Sequence, residues 1–173
     1  MRAFKTFEYQ SSDREAFRAG ALPRSWRKEY PSLFDQQDVR LALNQPNNHF
    51  FEWYAAIRIF AESGYLSLLE KYHFKSHTRK YRRFGELAPP RVFYAATLAR
   101  QYTAQPPDLF TYDPASGDWY FCEVKGPGDR FRPSQSFFFA VLEDVSGKPV
   151  NVIRFREARR HRTGGTGWRP TTR

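Results

Sequence analysis

The stretch from Gln105 to Gln135, QPPDLFTYDPASGDWYFCEVKGPGDRFRPSQ, constrains the fold more than any other part of the chain. Its inner part reads as a β-hairpin. Leu109-Phe110-Thr111-Tyr112 and Trp119-Tyr120-Phe121-Cys122-Glu123-Val124 are rich in aromatic and β-branched residues. Between them Asp113-Pro114-Ala115-Ser116-Gly117-Asp118 is dense in turn formers. A hairpin symmetric about that loop sets Asp113 opposite Asp118 and Asp108 opposite Glu123. Directly opposed residues have Cβ atoms about 4.5–5.5 Å apart. Two carboxylates that close repel unless a proton or a cation lies between them. Along the second strand, side chains alternate, so Glu123 and Lys125 share a face while Cys122 and Val124 point the other way. Two acids and a lysine thus converge on one side of a hairpin, which marks a site. The plain alternative is a surface hairpin with an Asp108–Lys125 salt bridge.

The rest of the chain has to supply a core for that hairpin, and 17 Phe, 10 Tyr and 4 Trp in 173 residues are enough for one domain of ordinary size. A single cysteine excludes an internal disulfide framework, and no zinc-ligand spacing is visible. The segment MRAFKTFEYQ lacks the apolar stretch of a signal peptide, and no apolar run approaches about 18 residues. The expectation is a soluble, cytoplasmic protein with no membrane partner. A net charge of +10 suits a polyanionic partner. A merely basic surface would give the same number.

Residues 1–46 read as an N-terminal extension or arm. Arg14 to Arg18 fits a short helix, and Leu22-Pro23 to Tyr30-Pro31 an extended, turn-rich segment. Lys5, Arg14, Arg18, Arg24, Arg27 and Lys28 are interleaved with Phe4, Phe7, Phe17, Trp26 and Tyr30. That mixture could hold nucleic acid through phosphate contacts and stacking, or it could pack its rings on the main domain.

A helix follows, with Asn47 or Asn48 as N-cap and Gly64 as its stop. Phe50, Trp53, Tyr54, Ile57, Phe60 and Ala61 fall on one broad face at about 100° per residue, with Arg58 and Glu62 on another. Glu52 lies in an apolar margin, where a carboxylate is costly without a partner. It is either an edge residue reaching solvent or an acid delivered to a site. Ser67–His73 and Arg91–Arg100 read as helices, separated by Pro89-Pro90. In KSHTRKYRRF, Lys75, Arg79, Lys80, Arg82 and Arg83 lie close together and form either a nucleic-acid contact or a solvated charge run. His73 and His77, at i and i+4, lack a third zinc ligand and read as a structural or surface pair.

After the hairpin, Gly126-Pro127-Gly128 makes a turn needing glycine torsions. Asp129, Arg130 and Arg132 follow. A helix then opens at Pro133-Ser134, either residue fitting its start, with Phe137, Phe138, Val141, Leu142 and Val145 as its buried stripe and Gly147 as its end. Gln135 in its first turn either bonds free backbone groups or orients the site. Val150–Phe155 is a third strand. The tail, 158–173, is basic, rich in Gly and Thr, and reads as disordered.

Pro107-Asp108 with Glu123-Val124-Lys125 resembles the PD-(D/E)xK signature of metal-dependent nucleases. The longer run EVKGP, with Asp129-Arg130 and then Gln135, is similar to the VRR-type (VRR-NUC) branch of that superfamily. The resemblance covers roughly residues 48–145. It departs from the usual pattern at Gln105-Pro106, where a glycine is common, and at Phe138, where tryptophan is common. It implies an α/β fold, a restriction-endonuclease-like mixed sheet core flanked by helices, over residues 47–157. It also implies a divalent-metal-dependent deoxyribonuclease, structure-selective for flapped or branched DNA, of use in DNA repair or recombination and possible as a homodimer. Asp108, Glu123, Lys125 and Gln135 are then the catalytic candidates. Asp108, Glu123 and the Val124 carbonyl supply hard oxygen ligands for Mg²⁺ or Mn²⁺. Glu52 would complete the set or support a second ion. Lys75, Arg79, Lys80, Arg82, Arg83, Arg130 and Arg132 are the candidate DNA contacts. A catalytically silent nucleic-acid-binding module on the same scaffold is the alternative, and an intact Asp108, Glu123 and Lys125 set favours the enzyme.

Overall fold

The computed structural model describes residues 1–99 and 105–158. In chain order the elements are β1 (Arg2–Tyr9), α1 (Ser11–Arg18), α2 (Ala21–Glu29), α3 (Gln36–Asn44), α4 (Phe50–Ser63) and β2 (Leu66–Leu69). Then come α5 (Thr78–Leu87), α6 (Pro90–Thr97), β3 (Leu109–Tyr112), β4 (Trp119–Lys125), α7 (Pro133–Ser146) and β5 (Asn151–Glu157). The strands form one five-stranded mixed sheet in the order β1-β5-β4-β3-β2, flanked by helices as expected.

The sheet is built outward from the hairpin. β3 and β4 pair antiparallel from Tyr112 with Trp119 to Leu109 with Cys122, so the next positions out are Asp108 and Glu123. That is the register of a hairpin symmetric about its loop. β5 lies parallel to β4, and a parallel neighbour needs a crossover connection, which α7 provides. β4 is buried along nearly its whole length because both of its faces are covered. Phe110, Trp119 and Phe121 meet Phe84 of α5, Val92 and Ala96 of α6, and Phe138, Phe139 and Leu142 of α7. Leu109, Cys122, Val124, Ile153 and Phe155 meet Phe17, Trp26, Val39 and the inner side of α4. The molecule is therefore three layers with the sheet in the middle. Gly64, at φ +75°, ends α4 and Gly147, at φ +68°, ends α7, as the sequence predicts for a left-handed cap. Among the described residues no helix is long and apolar enough to cross a membrane.

Three expectations need correction, and one choice left open by the sequence is settled: residues 1–46 pack their rings on the rest of the chain. β1 is an edge strand parallel to β5, and Phe7, Tyr9, Phe17 and Trp26 lie in the same core as α4. Only the last residues of β1 face inward, so most of the strand shows no alternation to read. Ala21–Glu29 is a helix rather than an extended segment; Pro23 sits in its first turn, where a missing N–H breaks no bond. Residues 67–73 are not a helix: β2 pairs with β3, and Ser67 Oγ lies 3.0 Å from Thr111 Oγ1 across the pair. A short apolar run such as LSLL suits either period. In α7 it is Phe139 that is buried, while Phe137 is 61% exposed. Pro133 occupies the first turn of that helix, with Arg132 before it, and Ser134 does not cap it. The basic tail expected from residue 158 lies, apart from that first residue, outside the described residues.

Candidate active site

The apolar stripe on one face of β4 runs Trp119, Phe121 and then turns ionic at Glu123 and Lys125. Both of these are buried. A buried ion pair survives only where other hydrogen bonds complete it, and the first turn of α7 supplies them. Lys125 Nζ is 2.7 Å from Glu123 Oε1. The Gln135 amide bridges the pair, donating to Glu123 Oε1 at 2.5 Å and accepting from Lys125 Nζ at 3.1 Å. Of the two roles open to Gln135, this geometry shows side-chain bridging. Across the hairpin, Asp108 Oδ2 accepts the Val124 N–H at 2.8 Å, which turns its carboxyl toward β4.

Asp108 and Glu123 line the same cavity, and the charge of Glu123 acts on Asp108. Glu123 is 1% exposed, and its Oε2 is buried with no donor beside it among the described residues. Two such carboxyls share a proton or hold a cation. Glu52, in the first turn of α4, brings a third carboxyl from the opposite layer. Burial, then the Glu70 charge, pushes Glu52 up to about 7. Burial, then Glu123 and Glu52, holds Asp108 well above the ordinary carboxylate range. Burial also raises Glu123, with Lys125 pulling the other way.

Two further residues at this site were not visible in the sequence. His49 Nδ1 pairs with Glu70 Oε1, and His49 Nε2 lies 3.0 Å from Gln45 Oε1. Ligand atoms of His49, Glu52 and Glu70 all lie within 4.8 Å of one another. Burial resists charge on His49, but the Glu70 carboxylate outweighs it and raises the imidazole above its usual value. Glu70 joins the site through its backbone as well, its N–H donating to the Asp108 carbonyl at 2.7 Å. The non-glycine residues with positive φ among those described are His49 (+71°), Glu70 (+29°) and Lys71 (+43°). All three sit here, and strained backbone of this kind persists where surrounding contacts enforce it. A polar residue at the end of a buried strand was the available signal for Glu70, hidden because residues 67–73 also fit a helix.

A cavity of about 360 Å³ opens over Glu52, Asp108, Glu123 and Lys125, with Arg130 and Arg132 on its rim. A second, of about 710 Å³, shares Glu52, Asp108 and Arg132 and extends past Asn47, Asn48 and Lys71. Clustered carboxylates with an orphaned buried oxygen suit a hard divalent cation such as Mg²⁺ or Mn²⁺. Gly126 lets the turn after β4 lie against α4, because a Cβ there would stand 2.6 Å from the Phe51 ring. Asp129 Oδ2 closes that turn by accepting the Gly126 N–H at 2.8 Å.

The basic run of α5 divides. Lys75 and Arg82 are exposed. Arg83 pairs with Glu86 and lies over the Tyr112 ring at 4.9 Å. Arg79 is taken up by Asp35 at 2.6 Å and Asp38 at 3.3 Å. Lys80, expected to face phosphate, is 1% exposed and bonds Asp38 Oδ1 at 2.5 Å and the Leu69 carbonyl at 2.8 Å. Its ammonium is spent inside the fold, because helix periodicity turns this one position of the run inward. His73 and His77 form no metal group with a third ligand among the described residues.

The chain matches no protein-family model and no curated protein. Among solved structures, it is similar to the crystal structure of paFAN1 bound to 2-nt 5′-flap DNA with a gap, at 22% identity and a TM-score of 0.28. The likeness covers 63% of this chain and 24% of that one, and a superposition so loose settles neither fold nor activity.

Proposed function

We propose that the protein is a divalent-metal-dependent nuclease that hydrolyses DNA phosphodiester bonds. The observation that carries this reading is the excess of carboxyl oxygen over cation around Lys125: Glu52, Asp108 and Glu123 share with it the floor of a cavity rimmed by Arg130 and Arg132. The motif resemblance supports it, and selectivity for flapped or branched DNA rests on that resemblance alone.

Asp108, Glu123 and the Val124 carbonyl would hold Mg²⁺ or Mn²⁺, with Glu52 completing the set or serving a second ion. When bound, such an ion polarises a phosphate and lowers the pKa of a water. Lys125, fixed by Glu123 and Gln135, presents its ammonium to the attacking water or to the developing charge. Gln135 holds the lysine and the acid at one spacing. Arg130, Arg132 and, farther out, Lys75 and Arg82 would neutralise phosphates along the strand.

The test is a cleavage panel of plain duplex, single strand, 5′ flap, 3′ flap and four-way junction, each with Mg²⁺, Mn²⁺ or EDTA. Wild type cuts only with metal, and Asp108→Asn loses cleavage by orders of magnitude while still binding DNA in EDTA. Equal cleavage by the two proteins overturns the reading. Wild-type binding with no cleavage under any metal selects the silent binding module instead.

A further inference from the structure

One cavity away from the acids lies a feature that the proposed chemistry does not use. Phe74, Tyr81, Phe93 and Tyr94 line a hollow of about 380 Å³, with His73, Lys75 and Thr97 beside them. Its size is within the range of small-molecule pockets. Its rings come from the loop after β2, from α5 and from α6, and they brace one another: Tyr81 packs on Phe93 at 5.1 Å and Phe93 on Tyr94 at 5.9 Å, both edge-on. Tyr94 is 64% exposed, the most exposed large aromatic among the described residues, while Phe74, Tyr81 and Phe93 are half-buried around it. A lone exposed ring needs no explanation. One seated on a hollow walled by three more rings does.

The surroundings indicate what would fill it. Lys75 and Arg91, the latter one turn before Tyr94 on α6, are both exposed cations. The hollow shares His73 and Phe74 with a smaller cavity of about 170 Å³ that reaches Glu70, Lys71 and Asp108. The two hollows share the wall made by His73 and Phe74, which places the aromatic rings one cavity away from the acid cluster. An apolar peptide would gain nothing from flanking cations or from closeness to a phosphate-cutting centre. A nucleotide would use both, its base on the rings and its phosphate on Lys75.

We propose that this hollow takes an unpaired base of the DNA strand whose backbone passes the acid cluster, so that the protein engages single-stranded extensions rather than plain duplex. Stacking on aromatic rings tolerates any base, because each has a π face. The proposal rests on the nuclease reading for the nature of the strand, but its test does not involve cleavage.

A duplex with a short single-stranded extension, carrying 2-aminopurine at each extension position in turn, is titrated with wild type, Tyr94→Ala, Tyr94→Trp and Lys75→Ala in EDTA. Wild type quenches the fluorophore at one position. Tyr94→Ala abolishes that quenching and weakens binding about 10-fold, the scale of one base stack, whereas Tyr94→Trp keeps both. With an abasic site at that position, wild type and Tyr94→Ala bind equally. Lys75→Ala weakens base-bearing and abasic extensions alike and lowers the salt dependence. Quenching at no position overturns the proposal, and so does an equal loss by Tyr94→Ala on abasic and base-bearing DNA. A protein that quenches but never cuts keeps the hollow and loses the nuclease; one that cuts without quenching keeps the nuclease and loses the hollow.

Discussion

Two charge clusters meet at the end of β2, and they solve burial in opposite ways. In the first, Asp35 and Asp38 face Arg79 and Lys80, so acids and bases balance within the chain. In the second, Glu52, Glu70, Asp108 and Glu123 face Lys125 and His49, and oxygen is in excess. The balance shows in their acidities. Burial works against Asp35, but the Asp38 amide and Arg79 overcome it and lower its carboxyl to about 2. Glu52, half-buried among like charges, rises to about 7. The difference separates a structural network from a site: one is complete as folded, while the other is left with a charge deficit that a ligand could fill.

Changing one base in each cluster tests this most severely. Lys80→Ala leaves Asp38 buried with a partial partner, and urea unfolding should show a loss of about 3–5 kcal/mol, with normal cleavage per folded molecule. Lys125→Ala should instead show itself in the chemistry. Cleavage per folded molecule falls by about 10²–10³-fold, the Glu123 carboxyl left buried without its cation lowers stability in EDTA, and calorimetry still finds Mg²⁺ binding because the carboxylates remain. A Lys80→Ala protein that stays stable would put its ammonium outside the core.

Metal should act on one cluster alone. At about 100 times its dissociation constant, Mg²⁺ should stabilise wild type by about 2.7 kcal/mol. Asp108→Asn should lose most of that gain, and Asp35→Asn should keep it. A gain retained in full by Asp108→Asn would move the ion elsewhere.

The smallest effect, and the one that contrasts the clusters most directly, is on pH in EDTA. Glu52 has a raised native pKa, so the folded state binds more protons and stability increases as pH falls from about 7 toward 4.5. Asp35 has a depressed one, so its contribution is intact above about 3.8 and is lost as pH falls toward 2. Thermal melts should peak between these windows. Glu52→Gln should flatten the upper slope, and Asp35→Asn the lower one, since the amide oxygen can still cap α3 while the charge facing Arg79 is gone.

What the sequence revealed of this comparison follows the range of each signal. The β3–β4 register, the shared face of Glu123 and Lys125, and the glycine ends of α4 and α7 were legible because turn chemistry and alternation act over a few residues. Lys80 was not, since within RKYRR it looks like any solvated cation and its acid, Asp38, lies on a different helix. Glu70 was hidden by the ambiguity of LSLL, and His49 by standing next to Asn47 and Asn48, which are better caps by residue type. Each of these positions takes its role from a partner far along the chain.

The order of the strands in the sheet has a consequence in time. β4 carries Glu123 and Lys125, yet one of its two neighbours is β5, the last strand among the described residues, and β1, the first of them, pairs with β5. As the chain leaves the ribosome, the hairpin can close early, while β1 has to wait for residues 151–157 before it has a partner. Pairings that span so much of the chain are slow to form, because loop closure precedes any gain from contact. Asp108 and Glu123 can face each other once the hairpin closes, but a nascent or truncated chain that lacks β5 would carry them without the neighbouring strand that covers β4.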